Sequence, residues 1–291
     1  MNKKIRKAVF PVAGFGTRFL PATKSQPKEM LPIVDKPVIQ YLVEEAVAAG
    51  IEEIVIITGR GKRSIEDHFD HSFELEHNLV EKGKHELLKS IKDLENLARF
   101  VYVRQPIPLG DGHAILCAKE VIGNEPFAVL FGDDVIDNEV PAIKQLMDIF
   151  EETGSSCIGL EEVSMDDISN YGVMKGLKIR DRLFEVEELV EKPKKENAPS
   201  NLGIIGKYVC TPEIFAALEA SKSSNGGEIR LIDGFIELKK QQKIYGYKLE
   251  GKRYDCGSKI GLIKATIDFA LKRPDLAPKL RAHLQKILSN S

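Results

Sequence analysis

Hydrophobic runs of strand length alternate with amphipathic runs of helix length through the first half of the sequence. The run at 53–58, Glu-Ile-Val-Ile-Ile-Thr, is largely apolar and β-branched, which is typical of a strand buried on both faces. The elements predicted in this half are strands at about 6–13, 53–58, 100–103 and 126–131 and helices at 37–50, within 65–100 and at 112–121. Strands separated by helices predict βαβ units, so we expect an α/β protein with a mainly parallel sheet.

The second half has shorter and more closely spaced elements. They are predicted as strands at 157–163, 172–174, 183–190, 202–210 and 244–249, a helix at 211–220 and a terminal helical segment at 258–291. Breaks in that terminal segment are expected around Pro274 and Pro278, because proline interrupts a helix. No internal repeat or long linker separates the halves. We therefore expect a single domain, 1–291, with two functional halves.

Charge and cysteine usage exclude several classes of protein. The sequence has 42 Lys and Arg against 44 Asp and Glu, a formal net charge of −2, which gives no reason to expect a nucleic acid or an anionic membrane as partner. No window approaches the ~18 apolar residues of a membrane-spanning helix. The four cysteines are dispersed and form no Cys-x-x-Cys motif, so we expect reduced thiols in a cytoplasmic protein.

A glycine-rich segment at 14–18, Gly-Phe-Gly-Thr-Arg, directly follows the first predicted strand. Glycines at such a turn let backbone N–H groups approach an anion closely. Phe19 stands where a dinucleotide fingerprint needs its third glycine, and the sequence contains no Gly-x-x-x-x-Gly-Lys-Ser/Thr, so both familiar phosphate loops are excluded. A Gly-x-Gly pair also fits a plain tight turn. The nearby cations Arg18 and Lys28 favour a polyphosphate ligand.

The glycine-rich segment and two polar residues fall at one edge of the predicted sheet. The 14–18 segment, Gln105 and Asp133 each follow a predicted strand. Ligands of parallel α/β sheets bind at the carboxyl ends of the strands. We therefore expect one site there.

Longer motifs make a specific family resemblance. The segments 10–24, Phe-Pro-Val-Ala-Gly-Phe-Gly-Thr-Arg-Phe-Leu-Pro-Ala-Thr-Lys, and 27–37, Pro-Lys-Glu-Met-Leu-Pro-Ile-Val-Asp-Lys-Pro, closely resemble the bacterial UTP–glucose-1-phosphate uridylyltransferases, or UDP-glucose pyrophosphorylases. The wider sugar nucleotidyltransferase superfamily usually has Leu-Ala-Gly-Gly where this chain has Val-Ala-Gly-Phe at 12–15. The resemblance continues through Arg104-Gln105, Gly112-His113-Ala114, Tyr171-Gly172-Val173, Glu191-Lys192-Pro193 and Tyr254-Asp255-Cys256-Gly257.

The resemblance implies a fold and a reaction. The fold is Rossmann-like and three-layered around a central mixed, mainly parallel sheet, of the nucleotide-diphospho-sugar transferase type. The nucleotide-binding half would be about 1–150, the sugar-phosphate half about 151–257 and the C-terminal helical segment about 258–291. The reaction is uridylyl transfer from UTP to α-D-glucose 1-phosphate, with Mg²⁺ as cofactor, in a homodimer or homotetramer.

The resemblance also assigns roles to individual residues. The catalytic group is Arg18, Lys28, Asp133 and Lys192. The nucleotide-binding group is Ala13, Gly14, Gly16, Thr17, Glu29, Gln105 and Gly110. The sugar-phosphate group is Gly172, Glu191, Lys192 and Asn201. Asp133 and Asp255 would ligate Mg²⁺, since hard carboxylate oxygens suit that ion, and Asp134 offers a further carboxylate.

Alternatives and departures stay open at this point. A glucose-1-phosphate thymidylyltransferase uses the same chemistry with another base. A non-catalytic sugar-nucleotide-binding regulator and a metal-dependent glycosyltransferase are the alternatives from other classes. Arg230 and Ile232 stand where many family members have Gln and Thr, which leaves sugar selectivity and assembly in doubt. Histidines near 67–71 are metal-capable, but on a charged helical surface we expect them to be solvated.

Overall fold

The computed structural model describes residues 4–221 and 227–289. The strands in these ranges are, in chain order, β1 Lys7–Pro11, β2 Pro32–Ile33, β3 Lys36–Pro37, β4 Glu53–Thr58, β5 Arg99–Arg104, β6 Phe127–Leu130, β7 Asp134–Asp137, β8 Cys157–Glu162, β9 Gly172–Arg180, β10 Leu183–Glu191, β11 Leu202–Cys210, β12 Tyr245–Lys248 and β13 Lys252–Asp255. The helices are α1 Val38–Ala48, α2 Arg63–Phe69, α3 Phe73–Glu81, α4 His85–Glu95, α5 Asp111–Leu116, α6 Lys119–Ile122, α7 Ala142–Thr153, α8 Ile214–Ala220, α9 Leu231–Leu238, α10 Lys259–Lys272 and α11 Ala277–Ser289.

One large mixed sheet runs through both halves of the chain. Nine strands lie in the order β5-β4-β1-β6-β11-β8-β12-β10-β9. The strands of the first half pair in parallel, as do β8 and β12, whereas β11 pairs antiparallel with both β6 and β8. The predicted mixed sheet is confirmed, and its parallel part lies mainly in the first half, where βαβ units were expected. Because β11 hydrogen-bonds to β6, the two halves share one continuous sheet.

Helices cover both faces of this sheet. In β1, Ala8 and Phe10 point into a core that includes buried residues of α1 and α7. Val9, between them, points into a second core with buried residues of α5, α8 and α9. Alternate side chains of a strand lie on opposite faces, so a strand that is apolar at every position requires apolar layers on both sides. The predicted three-layer α/β fold is confirmed.

A second, two-stranded sheet was not predicted. β7 pairs antiparallel with β13, and in this register Asp134 lies opposite Asp255. Each strand has four residues, and the pairing joins distant parts of the chain, so no local pattern marks it. This small sheet carries Asp255 from the end of the second half to the carboxyl end of β6.

Two predicted helical segments have different boundaries in the structure. The helix predicted at 112–121 is two helices, α5 and α6. The terminal helical segment is broken at 273–276, whereas Pro278 lies in the first turn of α11, where proline is tolerated. The last two residues of that predicted segment, 290 and 291, lie outside the described residues. Over the described ranges, none of the helices combines the length and apolarity that crossing a membrane demands.

Candidate active site

The glycine-rich loop after β1 is held in one conformation by its own neighbours. Gly16 has φ +66°, a region that glycine adopts without strain, and its carbonyl accepts a 2.7 Å hydrogen bond from the Thr23 hydroxyl. A Cβ on Gly16 would lie only 3.2 Å from Cβ of Lys28. Thr17 and Arg18 begin a short 3₁₀ turn and are exposed. The loop therefore presents its backbone and the Arg18 guanidinium to solvent.

Lys28 and Asp133 form an ion pair at the carboxyl ends of the parallel strands. Lys28 Nζ donates a short hydrogen bond to Asp133 Oδ2, and each side chain is about four-fifths buried. Burial alone would raise the pKa of Asp133, but Lys28, together with Arg18 and Arg253, outweighs it and lowers that pKa. Asp133 is therefore held as a carboxylate. Lys28 is correspondingly held as a cation, since Asp133 and Glu29 outweigh the effect of burial and raise its pKa.

Asp133 and Asp255 converge on Gly257. A Cβ on Gly257 would collide with Asp133 Oδ2 and would lie 3.0 Å from Asp255 Oδ1. Burial, followed by the negative charge of Asp134, raises the pKa of Asp255. Two converging carboxylates, one of them short of positive partners, form a donor set that suits a hard divalent cation. The arrangement fits Mg²⁺, and it depends on a residue without a side chain at position 257.

Asp134 has a different environment from its neighbour. Its Oδ2 accepts a 2.8 Å hydrogen bond from the Gly206 amide, and its Oδ1 accepts one of 2.6 Å from Arg253 Nε. Arg253 also donates to Glu161 Oε2 at 2.9 Å and to the Tyr171 hydroxyl at 3.3 Å. Both oxygens of Asp134 are thus engaged in joining β7 to β11 and β13. This carboxylate serves the framework of the site.

Gln105 lies beside the loop, at the end of β5. Its side chain is almost buried, and Nε2 lies 3.0 Å from the carbonyl of Gly110 and 2.9 Å from Nδ1 of His113. Gly110 has φ +102°, and a Cβ there would collide with the carbonyl oxygen of Ile229. Ala13 lies next to Gly59, whose Cβ position is 2.8 Å from the Ala13 carbonyl. The ends of β1, β4 and β5 therefore bring the predicted nucleotide-binding residues Ala13, Gln105 and Gly110 to one edge.

Glu29 is buried under this edge. Its Oε2 accepts a 2.8 Å hydrogen bond from Lys62, and a Cβ on Gly132 would lie 2.7 Å from Glu29 Cγ. Burial raises the pKa of Glu29 despite the opposing effect of Lys62 and Lys28. The carboxylate of this predicted nucleotide-binding residue is thus held by a buried lysine.

The predicted sugar-phosphate residues lie on the second half of the chain. A Cβ on Gly172 would lie 3.0 Å from Ile232 Cδ1 and 3.2 Å from Glu191 Oε2. Lys192 has φ +44°, a left-handed conformation that is uncommon for a residue with a side chain, and its Nζ lies 3.4 Å from Glu191 Oε1. Asn201 is exposed, and its carbonyl accepts a hydrogen bond from Val163.

An open cavity of about 1060 Å³ is lined by residues from both halves of the chain. Predicted residues that line it are Arg18, Asp133, Asp134, Gly172, Glu191, Lys192 and Asp255. Among the described residues, the other predicted ones do not line the cavity. They are Ala13, Gly14, Gly16, Thr17, Lys28, Glu29, Gln105, Gly110 and Asn201. Arg230 and Ile232 also line the cavity, and Arg230 makes two hydrogen bonds to Asp233, of 2.8 and 2.9 Å. The positions that depart from the family pattern therefore face the sugar side.

Sequence reasoning did not single out Arg253 or Lys62. Both act through buried ion pairs whose partners, Asp134 and Glu29, are distant in the sequence. The only available signal was Arg253's place directly before the Tyr-Asp-Cys-Gly motif. His113, which sequence reasoning left without a role in catalysis, lies against Gln105.

Comparison with known proteins identifies the family. A family model described as nucleotidyl transferase matches residues 7–270. The chain is 53% identical over 287 residues to a UTP–glucose-1-phosphate uridylyltransferase of Bacillus subtilis, covering 99% of this chain and 98% of the relative. It is similar to a UDP-glucose pyrophosphorylase solved in complex with UDP-glucose, with a TM-score of 0.85, 46% identity, and coverage of 92% of this chain and 100% of that one. It is also similar to a UTP-bound enzyme of the same kind from Acinetobacter baumannii, with a TM-score of 0.90, 40% identity, and coverage of 97% and 99%. The chain belongs to the UTP–glucose-1-phosphate uridylyltransferases of the nucleotidyl transferase family.

Proposed function

We propose that this chain transfers a uridylyl group from UTP to α-D-glucose 1-phosphate, giving UDP-glucose and pyrophosphate. The observation that carries the proposal is the cavity itself. Arg18 and the converging Asp133 and Asp255 carboxylates line one part of it, and Glu191 and Lys192 line another. Relatives more than 50% identical over nearly their whole length carry the name of this activity.

The chemistry is an in-line displacement at the α-phosphorus of UTP. An oxygen of the sugar phosphate forms a new bond to that phosphorus while the bond to the β-phosphate oxygen breaks, and pyrophosphate leaves with the electron pair. The nucleophile is already an anion, so no general base is needed. The protein has to hold two anions together and neutralise charge on the leaving group.

The residues divide this work by position. Arg18, exposed on the glycine-rich loop, would contact the triphosphate, and the loop amides would hold its oxygens. Lys28 would bridge phosphates from its place beside Asp133. Lys192 would pair with the phosphate of glucose 1-phosphate, with Glu191, Gly172 and Asn201 on the sugar.

Recognition of uracil would fall to the edge formed by Gln105, Gly110, Ala13 and Glu29. Nε2 of Gln105 lies within hydrogen-bond distance of the Gly110 carbonyl and His113 Nδ1, and these contacts orient the amide. A base held by paired donors and acceptors is discriminated more sharply than one held by apolar contact.

Asp133 and Asp255 would hold Mg²⁺. The bound ion would neutralise phosphate charge and orient the triphosphate. The support on this chain is the glycine at 257, which leaves room between the two carboxylates. Asp134 would offer a further carboxylate, although its oxygens already accept hydrogen bonds from Gly206 and Arg253.

The wider setting completes the proposal. One domain would place the nucleotide in about 1–150 and the sugar phosphate in about 151–257, with 258–291 as a helical segment for assembly. Exposed Ile260 and Ile263 on α10, and Ile287 and Leu288 on α11, support contacts of these helices in a homodimer or homotetramer. The four free cysteines support a reducing, cytoplasmic setting.

The experiment measures pyrophosphate release with Mg²⁺ and glucose 1-phosphate, while UTP, dTTP, CTP, ATP and GTP are offered separately. Release mainly with UTP is the expected result. A preference for dTTP would make the chain a thymidylyltransferase. Silence with every nucleotide would overturn the proposal and favour a sugar-nucleotide-binding regulator. A separate incubation with UDP-glucose tests the remaining alternative. If UDP-glucose is consumed there and no pyrophosphate is released with any nucleotide, the chain is a glycosyltransferase.

A further inference from the structure

A second group of metal-binding side chains lies outside the cavity. His71 follows the end of α2, Glu76 lies in the first turns of α3, and Glu95 is the last residue of α4. One ligand atom from each lies within 4.8 Å of those of the other two. Sequence reasoning considered His71 and expected it to be solvated. It missed the glutamates because the positions 71, 76 and 95 match no metal-binding motif.

Two oxygen atoms in this group lack the partners that burial demands. Glu76 Oε1 and Glu95 Oε1 are buried and accept no hydrogen bond among the described residues. The Glu76 side chain is only 8% exposed. A buried polar atom without a partner is uncommon in folded proteins, and for a carboxylate the cost is larger than for a neutral group.

Nδ1 of His71 lies close to both oxygens. It is in direct contact with Glu76 Oε1 and lies 3.5 Å from Glu95 Oε1, with neither contact meeting hydrogen-bond geometry. Lys92 is 3.6 Å from the other oxygen of Glu76, Oε2, so it leaves Oε1 uncovered. One imidazole nitrogen and two carboxylate oxygens therefore face a common point.

We propose that His71, Glu76 and Glu95 bind a divalent transition-metal ion of the Zn²⁺ class. An imidazole with two carboxylates suits such an ion, whereas a carboxylate-only set such as Asp133 and Asp255 suits Mg²⁺. The His71 side chain is 59% exposed, which leaves a further coordination position open to water. The ion joins α3 and α4 to the segment that follows α2, so its role is to hold the α3–α4 hairpin against the end of α2.

The test titrates Zn²⁺ into the metal-free full-length chain by calorimetry. Excess Mg²⁺ is present to occupy the carboxylates of the cavity. One equivalent of Zn²⁺ is expected to bind. Glu76→Gln and Glu95→Gln should each weaken binding by at least about tenfold, the lower end of what the loss of even an outer-shell partner costs. The control is Glu81→Gln, which changes an exposed glutamate of α3 beside His77 and should leave the affinity unchanged.

Lys92→Met is expected to change the Zn²⁺ affinity in the opposite direction. It removes a cation that competes for Glu76, so Zn²⁺ should bind more tightly. Limited proteolysis within 73–95 should slow when Zn²⁺ is added to the wild-type chain and should not respond in Glu95→Gln. Equal Zn²⁺ affinity in the wild type, Glu76→Gln, Glu95→Gln and Lys92→Met, or no stoichiometric binding to the wild type, would overturn the proposal.

Discussion

Lys62 Nζ donates a 2.8 Å hydrogen bond to Glu29 Oε2 in a pair that is almost wholly buried, with side-chain exposures of 5% and 1%. Lys62 directly precedes α2, and Glu29 lies in the 3₁₀ turn Lys28–Met30. The pair therefore links the α2 region to the floor of the proposed base-binding edge. Burial raises the pKa of Glu29 and Lys62 opposes this effect, so the lysine favours the charged form of the carboxylate.

Removing the lysine is expected to destabilise the chain strongly. Lys62→Met leaves the Glu29 carboxylate buried without its partner, and breaking a buried ion pair in this way costs about 3–5 kcal/mol. The free energy of unfolding in urea at neutral pH measures the loss. Adding Glu29→Gln to Lys62→Met should recover part of it, since the second change removes the uncompensated charge.

The matched control for this prediction is Lys119→Met. Lys119 pairs with Glu219 at the same 2.8 Å, but both side chains are more than two-fifths exposed. Exposed pairs contribute little to stability, so this variant should unfold like the wild type. Equal losses in Lys62→Met and Lys119→Met would contradict the importance given to the buried pair.

Much of the fold was predictable because its signals are local. The apolar run of β4 requires layers on both faces, and the structure buries it at 53–58 as predicted. The loop at 14–18 was recognisable because glycine and arginine follow a strand directly. These features depend on neighbours in the sequence, which is why one sequence suffices to find them.

The unpredicted parts of the site depend on pairing between distant segments. The β7–β13 pairing that brings Asp255 to Asp134 has only four residues on each strand. Arg253 and Lys62 look like surface cations until their buried carboxylate partners are known, since most lysines and arginines are exposed. The group of His71, Glu76 and Glu95 exists only once α4 has packed beside α3 and the segment that precedes α3.

Asp133→Asn is expected to lower kcat by about 10²–10³-fold, the range that follows loss of one group stabilising transition-state charge. The substitution keeps the size of the side chain but removes the charge that faces Asp255 and Lys28. KM for UTP should change less, because the metal acts mainly on charge that develops during the reaction. Steady-state kinetics in Mg²⁺ measures both constants. Near-wild-type activity in this variant would refute the metal assignment.

Asp137→Asn is the control for Asp133→Asn. Asp137 lies at the other end of β7 and forms an ion pair with Lys272, away from the cavity lining. The kcat of Asp137→Asn should equal that of the wild type. A similar loss in both variants would point to general damage to β7.

Lys192→Ala is expected to raise KM for glucose 1-phosphate about tenfold, with a smaller effect on KM for UTP. The reason is that a charge-assisted hydrogen bond contributes about 1.5–3 kcal/mol, and about 1.4 kcal/mol corresponds to a factor of ten. Lys195→Ala is the control on the same loop, since Lys195 pairs with Asp166 on the surface. If the two variants raise KM equally, Lys192 has no special contact with the sugar phosphate.

His68 provides a pH dependence of stability that is separate from the chemistry. Its Nε2 lies 3.1 Å from Gln40 Oε1, and burial lowers the pKa of the ring below its usual value near 6.5, although Glu44 opposes this. Below that pH the unfolded chain binds a proton that the folded chain resists. The contribution is therefore complete above pH 6.5 and is lost as the pH falls towards the lower folded pKa. Because the ring is partly exposed, the loss should stay well under about 1.4 kcal/mol per pH unit.

Urea unfolding at pH 7.5 and pH 5.5 measures this dependence. The difference in the free energy of unfolding between the two pH values should be smaller for His68→Gln than for the wild type, whereas the variant of the exposed His283, His283→Gln, should retain the full difference. A difference unchanged by His68→Gln would assign the acid sensitivity to other groups.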